Sequence, residues 1–172
     1  SPAPIFTEKI KQQVINEIMV PTVRAMAKEG RYYRGILYAG LMLTKSGPKV
    51  LEFNARFGDP ETQPMMMRIK NDIVPIFEAC IDGTLATKVL QWEPEPTVCV
   101  VMASKGYPGP YEKGKEISGL NFSTNKQVVV FHAGTKLDNG KVLTNGGRVL
   151  GVTALGSDMN VAIKNAYSVV EK

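Results

Sequence analysis

The seven residues QWEPEPT, Gln91 to Thr97, constrain the fold more than any other stretch of the chain. Pro94 and Pro96 each lack a backbone N–H and hold φ near −65°, so neither a helix nor a central strand can run through them. Before this connector apolar residues recur at helical spacing. After it they come in β-branched runs such as TVCVVMAS. A chain of 172 residues allows one domain or two small ones, and 44% hydrophobic content is enough for a globular core. The expected organisation is therefore α+β, with one segment over 1–90 and a β-rich one over 91–172.

In the first segment Ile10, Val14, Ile18 and Met26 predict a helix from Thr7 to Glu29, with Thr7 as N-cap, Gly30 as the stop and Pro21 as a kink or break. RGILYAGLML (Arg34 to Leu43) and PKVLEFN read as the strands of a hairpin, with Gly47 in its turn. Met65, Ile69, Ile73 and Phe77 fall at four-residue spacing and predict one helix from Thr62 to Cys80. Met65, Met66 and Met67 within it read as core packing. In the second segment KGYPGPYEKGKEISG is a long Gly/Pro loop. VVVFHAGT, KVLTNGG and RVLGVTALG read as successive strands of an antiparallel sheet, and Ser157 is expected to cap a helix running to about Val170.

Composition excludes several classes. There are 21 basic and 16 acidic side chains, a net charge of +5, which suits anionic ligands such as nucleotides but equally fits an ordinary solvated surface. The arginines are scattered, and no aromatic motif interleaves them, so a nucleic-acid partner is not expected. Cys80 and Cys99 stand in no CxxC and beside no histidine, which points to a reducing compartment. No apolar run approaches the roughly 20 residues of a membrane span, so no membrane partner is expected and cytoplasmic location is.

KVLEFNARFGDPETQ, Lys49 to Gln63, carries the chemistry. In a strand alternate side chains share a face, so Glu52 and Asn54 point one way while Leu51 and Phe53 point into the core. A carboxylate and an amide carbonyl one strand repeat apart offer two hard oxygens, suited to Mg²⁺ or Mn²⁺ carried by nucleotide phosphates. The same pair also fits the solvent face of a half-buried strand. Downstream, Gly58 permits positive φ, Pro60 suits a first helical turn, and Asp59 or Thr62 can cap it. A helix start beside Arg56 can receive an anion, or Arg56 and Asp59 can simply pair with each other.

EFNARFGDPETQ, with YRGILYAGLM before it and FHAGT and TNGGRVLGVTALG after it, closely resembles the glycinamide ribonucleotide synthetase family of the ATP-grasp superfamily, over essentially the whole chain. The resemblance implies the C-terminal part of an ATP-grasp domain followed by a small, mostly antiparallel β domain with a closing helix. It implies ATP and Mg²⁺ or Mn²⁺ as cofactors, with glycine and 5-phosphoribosylamine as the other substrates. The product would be glycinamide ribonucleotide, formed through glycyl phosphate. On this resemblance Glu52 and Asn54 are the metal ligands, Arg56 and Asp59 are catalytic, and Arg56, Gly58, Asp59 and Arg148 contact substrate. The N-terminal part of the same enzyme would be a missing partner, without which the chain is expected to be inactive. One departure stands out: from Tyr33 to Leu51 there is no Asp, Glu, Asn or Gln, so the number of cations stays open. Another ATP-grasp carboxylate–amine ligase or carboxylase, or a non-catalytic nucleotide-binding module, remain alternatives.

His132, the single histidine, reads as a hydrogen-bonded strand residue or a proton shuttle. TNGG reads as a Gly-Gly turn.

Overall fold

The computed structural model describes residues 1–120 and 127–171. The chain is α+β. Its elements run α1 (Glu8–Val14), α2 (Val20–Lys28), β1 (Tyr38–Thr44), β2 (Gly47–Asn54), α3 (Thr62–Arg68), α4 (Val74–Asp82), β3 (Thr97–Ala103), β4 (Val128–His132), β5 (Thr135–Asp138), β6 (Lys141–Thr144), β7 (Arg148–Leu155) and α5 (Met159–Val170). They form two compact units, one of Pro2–Gly58 and Ile69–Trp92, the other of Ser1, Asp59–Arg68 and Glu93–Lys172. No described helix is long and apolar enough to cross a membrane.

In the first unit Thr7 caps α1 as expected, its hydroxyl accepting from the Ile10 N–H at 3.4 Å. Pro21 neither ends the helix nor leaves it regular. A π-helical turn, Ile15–Met19, joins α1 to α2. Pro21 has no N–H to give the Glu17 carbonyl and its ring crowds that oxygen, so the wider turn just before it absorbs the misfit. Gly30, at φ 75°, terminates the run.

β1 and β2 pair antiparallel around the turn Lys45–Ser46, with Gly47 at φ 98°. The ladder slips between Gly40, opposite Glu52, and Leu41, opposite Val50, leaving Leu51 as a bulge. Leu51 and Phe53 were expected to face the core, yet they are 65% and 41% exposed. The bulge takes Leu51 off the ladder. A two-stranded sheet also cannot bury both of its faces within this unit.

The single helix expected from Thr62 to Cys80 is two helices, α3 and α4. The intervening residues bond elsewhere: Ile69 bridges Trp92, the Lys70 N–H reaches the Gln91 carbonyl at 2.9 Å, and Asn71 Oδ1 accepts the Gln91 N–H at 2.6 Å. Asp72 Oδ1 accepts from Val74 at 3.0 Å, and Pro75 occupies the first turn of the restarted helix. These side-chain bonds to backbone outcompete a helical periodicity that was coincidental. At the far end of α4, Arg34 Nη1 donates to the Ile81 carbonyl at 2.9 Å, satisfying one of the orphan acceptors of a helix C-terminus.

The second unit is built on a three-stranded antiparallel sheet in the order β3-β7-β4. β7 is central and buried from Val149 to Ala154. Val152 and Ala154 pack with Ala166 of α5, whereas Gly151, on the alternate face, lies against Gln63 of α3 and Cys99 of β3. α5 approaches closely because its contact residues, Ala162 and Ala166, are small and fully buried. Its N-cap is Asp158 rather than Ser157: Asp158 Oδ1 accepts from Asn160 at 2.8 Å and Val161 at 3.0 Å.

VVVFHAGT and KVLTNGG do not both extend this sheet. β4 ends at His132, and β5 and β6 form a separate hairpin around Asn139–Gly140, both at positive φ. The glycines of TNGG serve close approach rather than a left-handed turn. A Cβ on Gly147 would lie 2.1 Å from Tyr107 Cδ2, and one on Gly134 would lie 2.6 Å from Gly146 Cα.

Candidate functional site

The candidate residues fall into two groups, each within one unit. The first is on β2. Glu52 and Asn54 share a strand face as expected, and Asn54 Nδ2 donates to Glu52 Oε1 at 3.0 Å. Gly40 stands opposite Glu52, and a Cβ there would lie 3.0 Å from Glu52 Cγ, so the missing side chain leaves room for the carboxylate. The amide hydrogen bond orients the pair and leaves Glu52 Oε2 and Asn54 Oδ1 unengaged among the described residues.

These are hard oxygens one strand repeat apart, the donor type Mg²⁺ and Mn²⁺ prefer. The described residues contain no cluster of three or more His, Cys, Asp or Glu. The pair therefore fits a cation that takes most of its ligands from outside these residues. It does not fit a cation held in an all-protein cage.

Arg56 follows in the connection that leaves β2. It is exposed, and its Nη1 donates to the Phe57 carbonyl at 3.1 Å. Phe57 packs on Phe77 of α4 with ring centroids 6.2 Å apart, which anchors the backbone that carries Arg56. Gly58 is buried.

The second group is centred on Asp59. Its Oδ2 pairs with Arg148 Nη2 at 3.3 Å, its carbonyl accepts from Arg148 Nη1 at 2.9 Å, and its Oδ1 accepts from Gln63 Nε2 at 2.8 Å. Both carboxylate oxygens thus have protein partners. The ion-pair partner open to Asp59 in the sequence was Arg56; the one observed is Arg148, 89 residues away at the start of β7. Arg148 is placed by the glycine crossing behind it. Its carbonyl accepts from the Gly134 N–H at 2.9 Å, and the Ser104 N–H holds the Gly147 carbonyl at 2.8 Å.

Sequence reasoning missed Gln63, although its i+4 spacing from Asp59 at the start of a helix was the available signal. Beside it the Cys99 thiol is pushed above its ordinary range by burial; a hydrogen bond with Thr153 opposes this and the Asp59 charge adds to it. His132 Nδ1 lies 3.1 Å from Thr135 Oγ1, across the bend between β4 and β5.

Comparison with known proteins gives a consistent result. The family model described as phosphoribosylglycinamide synthetase, ATP-grasp (A) domain, matches residues 1–62, and the model described as phosphoribosylglycinamide synthetase, C domain, matches residues 97–172. Phosphoribosylamine–glycine ligase of Pseudomonas aeruginosa is 51% identical over 100% of the chain and 40% of its own length. That of Rhodopirellula baltica is 51% identical over 99% of the chain and 40% of its length. The crystal structure of phosphoribosylamine–glycine ligase from Thermotoga maritima superposes with a TM-score of 0.75 at 36% identity, covering 100% of this chain and 41% of that one. The chain spans about 40% of the length of the curated relatives it matches.

Proposed function

The chain belongs to the phosphoribosylglycinamide synthetase family, and from that premise we propose that it supplies part of the machinery of an ATP-dependent ligase joining glycine to 5-phosphoribosylamine. In this reading residues 1–90 are the C-terminal portion of an ATP-grasp domain and 91–172 a β-rich C-terminal domain of a cytoplasmic enzyme. The observation that carries the proposal is the Glu52–Asn54 pair, oriented by its 3.0 Å hydrogen bond and followed at once by RFGDPETQ.

Glycine's carboxylate is a poor electrophile, because its charge repels an incoming amine and oxide is a bad leaving group. Transfer of the γ-phosphoryl group to it removes both obstacles. Glu52 and Asn54 would hold Mg²⁺ or Mn²⁺, which when bound supplies charge neutralisation at the phosphate oxygens. Arg56 presents a planar, permanently charged fork to the group in transfer, where negative charge accumulates. The amine of 5-phosphoribosylamine then displaces phosphate from glycyl phosphate. Gly58 lets the backbone approach substrate without a side chain, Asp59 contributes its carboxylate to the chemistry, and Arg148 meets substrate through the guanidinium that Asp59 holds.

Phosphoryl transfer to a carboxylate needs water excluded and both reactants positioned, and positioning alone is worth about 7–11 kcal/mol of barrier. The 172-residue chain alone is therefore expected to show no glycine-dependent ADP release. Addition of a separately produced N-terminal portion should restore release that depends on both glycine and 5-phosphoribosylamine. Robust turnover by the chain alone, or restored ADP release that bicarbonate supports and the amine does not, would refute the reading.

A further inference from the structure

Gln63 sits in the first turn of α3 and belongs to neither the cation pair nor the predicted catalytic set, yet it ends a chain of contacts that leads to Arg148. Gln63 Nε2 donates to Asp59 Oδ1 at 2.8 Å, and Asp59 in turn holds Arg148 through Oδ2 at 3.3 Å and through its carbonyl at 2.9 Å. The amide cannot be turned over, because its oxygen would then face a carboxylate, acceptor against acceptor. The side chain lies over Gly151 of β7, where a Cβ would stand 3.8 Å from Gln63 Cγ and Nε2.

This arrangement has a visible cost. Gln63 Oε1 is buried without a hydrogen-bond partner among the described residues. Buried polar atoms are nearly always paired, and an apolar side chain of the same length would fill this space with no orphan oxygen. What the amide contributes here is its nitrogen, which donates to Asp59 while its oxygen goes unpaired. Of the five N–H donors of Arg148, Asp59 engages two, which leaves three unengaged among the described residues. The Arg148 side chain is 43% exposed.

We propose that Gln63 is a positioning residue: by fixing the Asp59 carboxylate it sets the Arg148 guanidinium, with its unspent N–H groups, to receive the anionic group of a phosphorylated substrate. The identity of that substrate, a phosphorylated amine, rests on the ligase reading above. The brace itself is a property of this chain and is tested separately.

The test uses Gln63→Met, with Gln63→Leu as a second apolar replacement in case one packs poorly. In the 172-residue chain, ¹⁵N relaxation at Arg148 Nε should report a more mobile guanidinium in the variant, while the thermal midpoint stays level or rises because the orphan oxygen is gone. In a full-length ligase carrying this segment, KM for the phosphorylated amine should rise on the order of tenfold, the scale of one lost charge-assisted hydrogen bond, while the KM for glycine stays nearly unchanged. In the 172-residue chain carrying Asp59→Ala, Gln63→Met should leave Arg148 mobility where Asp59→Ala alone puts it, since Gln63 acts through Asp59. Unchanged Arg148 mobility would overturn the brace, as would additive effects of the two substitutions on that mobility. Increased mobility with an unchanged KM would overturn its role in substrate binding. If the full-length protein showed no glycine-dependent ADP release, the ligase reading would fall while the relaxation measurement still decided the brace.

Discussion

Gly134→Ala tests the physical account of how Arg148 is placed. Gly134 does not have a left-handed φ, so alanine costs nothing in backbone conformation there, and the whole effect must come from contacts. The added Cβ would lie 2.6 Å from the Arg148 carbonyl oxygen, 2.6 Å from Gly146 Cα and 2.8 Å from Gly146 N. All three are backbone atoms, so no flexible side chain can yield. The β4–β5 and β6–β7 connections would have to separate by roughly an ångström. Overpacking of this kind costs about 1–3 kcal/mol, and with backbone on every side the upper end applies. At about 2–4 °C per kcal/mol for a chain of this size, the melting transition should fall by roughly 6–12 °C. The assay is thermal denaturation followed by circular dichroism, with Gly140→Ala as reference. Gly140 has φ 77° and open space around its missing Cβ, so its substitution costs only the left-handed conformation, about 1–2 kcal/mol. A Gly134→Ala shift no larger than that of Gly140→Ala would refute the close-approach argument. Loss of the Asp59–Arg148 pair in the surviving folded protein, seen as increased Arg148 mobility, would extend it.

Three further outcomes are expected. In a full-length ligase carrying this segment, Glu52→Gln should lower turnover at least ~100-fold while leaving the fold intact, the scale of one lost electrostatic contact in a phosphoryl-transfer site; near-normal turnover at limiting Mg²⁺ would remove Glu52 from the cation site. Arg56→Lys keeps the charge but loses the planar fork, so turnover should fall clearly, and equality of the lysine variant with the parent in steady-state assays would make Arg56 structural. The Cys99 thiol, raised chiefly by burial, holds its proton in the folded chain at pH values where the unfolded chain has lost it. Its contribution to stability is therefore complete below the ordinary thiol pKa of ~8.5 and declines as pH rises above it, because the folded state then binds more protons than the unfolded one. Denaturant titrations of the parent and Cys99→Ala across that range should show the parent losing stability more steeply.

Much of the local structure could be read directly from short stretches of sequence. Thr7 caps α1 through a bond three residues away, the β1–β2 hairpin closes around a two-residue turn, and α5 ends at Val170. Glu52 and Asn54 share a face because strand geometry alone requires it. These features depend on backbone sterics and bonds within a few residues, which any chain with that local sequence would form. Where local signals competed, tertiary structure chose. The four-residue spacing from Met65 to Phe77 lost to Asn71 and Asp72, because Asn71 found backbone partners at Val89 and Gln91, some 20 residues on. Leu51 and Phe53 alternate as core residues should, but burial requires a covering layer, and strand periodicity does not reveal whether one exists. The partner of Asp59 was beyond any local reading. Arg56 lies three residues from it and Arg148 lies 89 away, and the contact was decided by β7 taking the centre of its sheet and by glycines at 134, 146 and 147 letting backbones and an aromatic ring pack without Cβ atoms between them. Side-chain chemistry could nominate the members of the site. Only the long-range packing that follows from burying β7 on both faces could pair them.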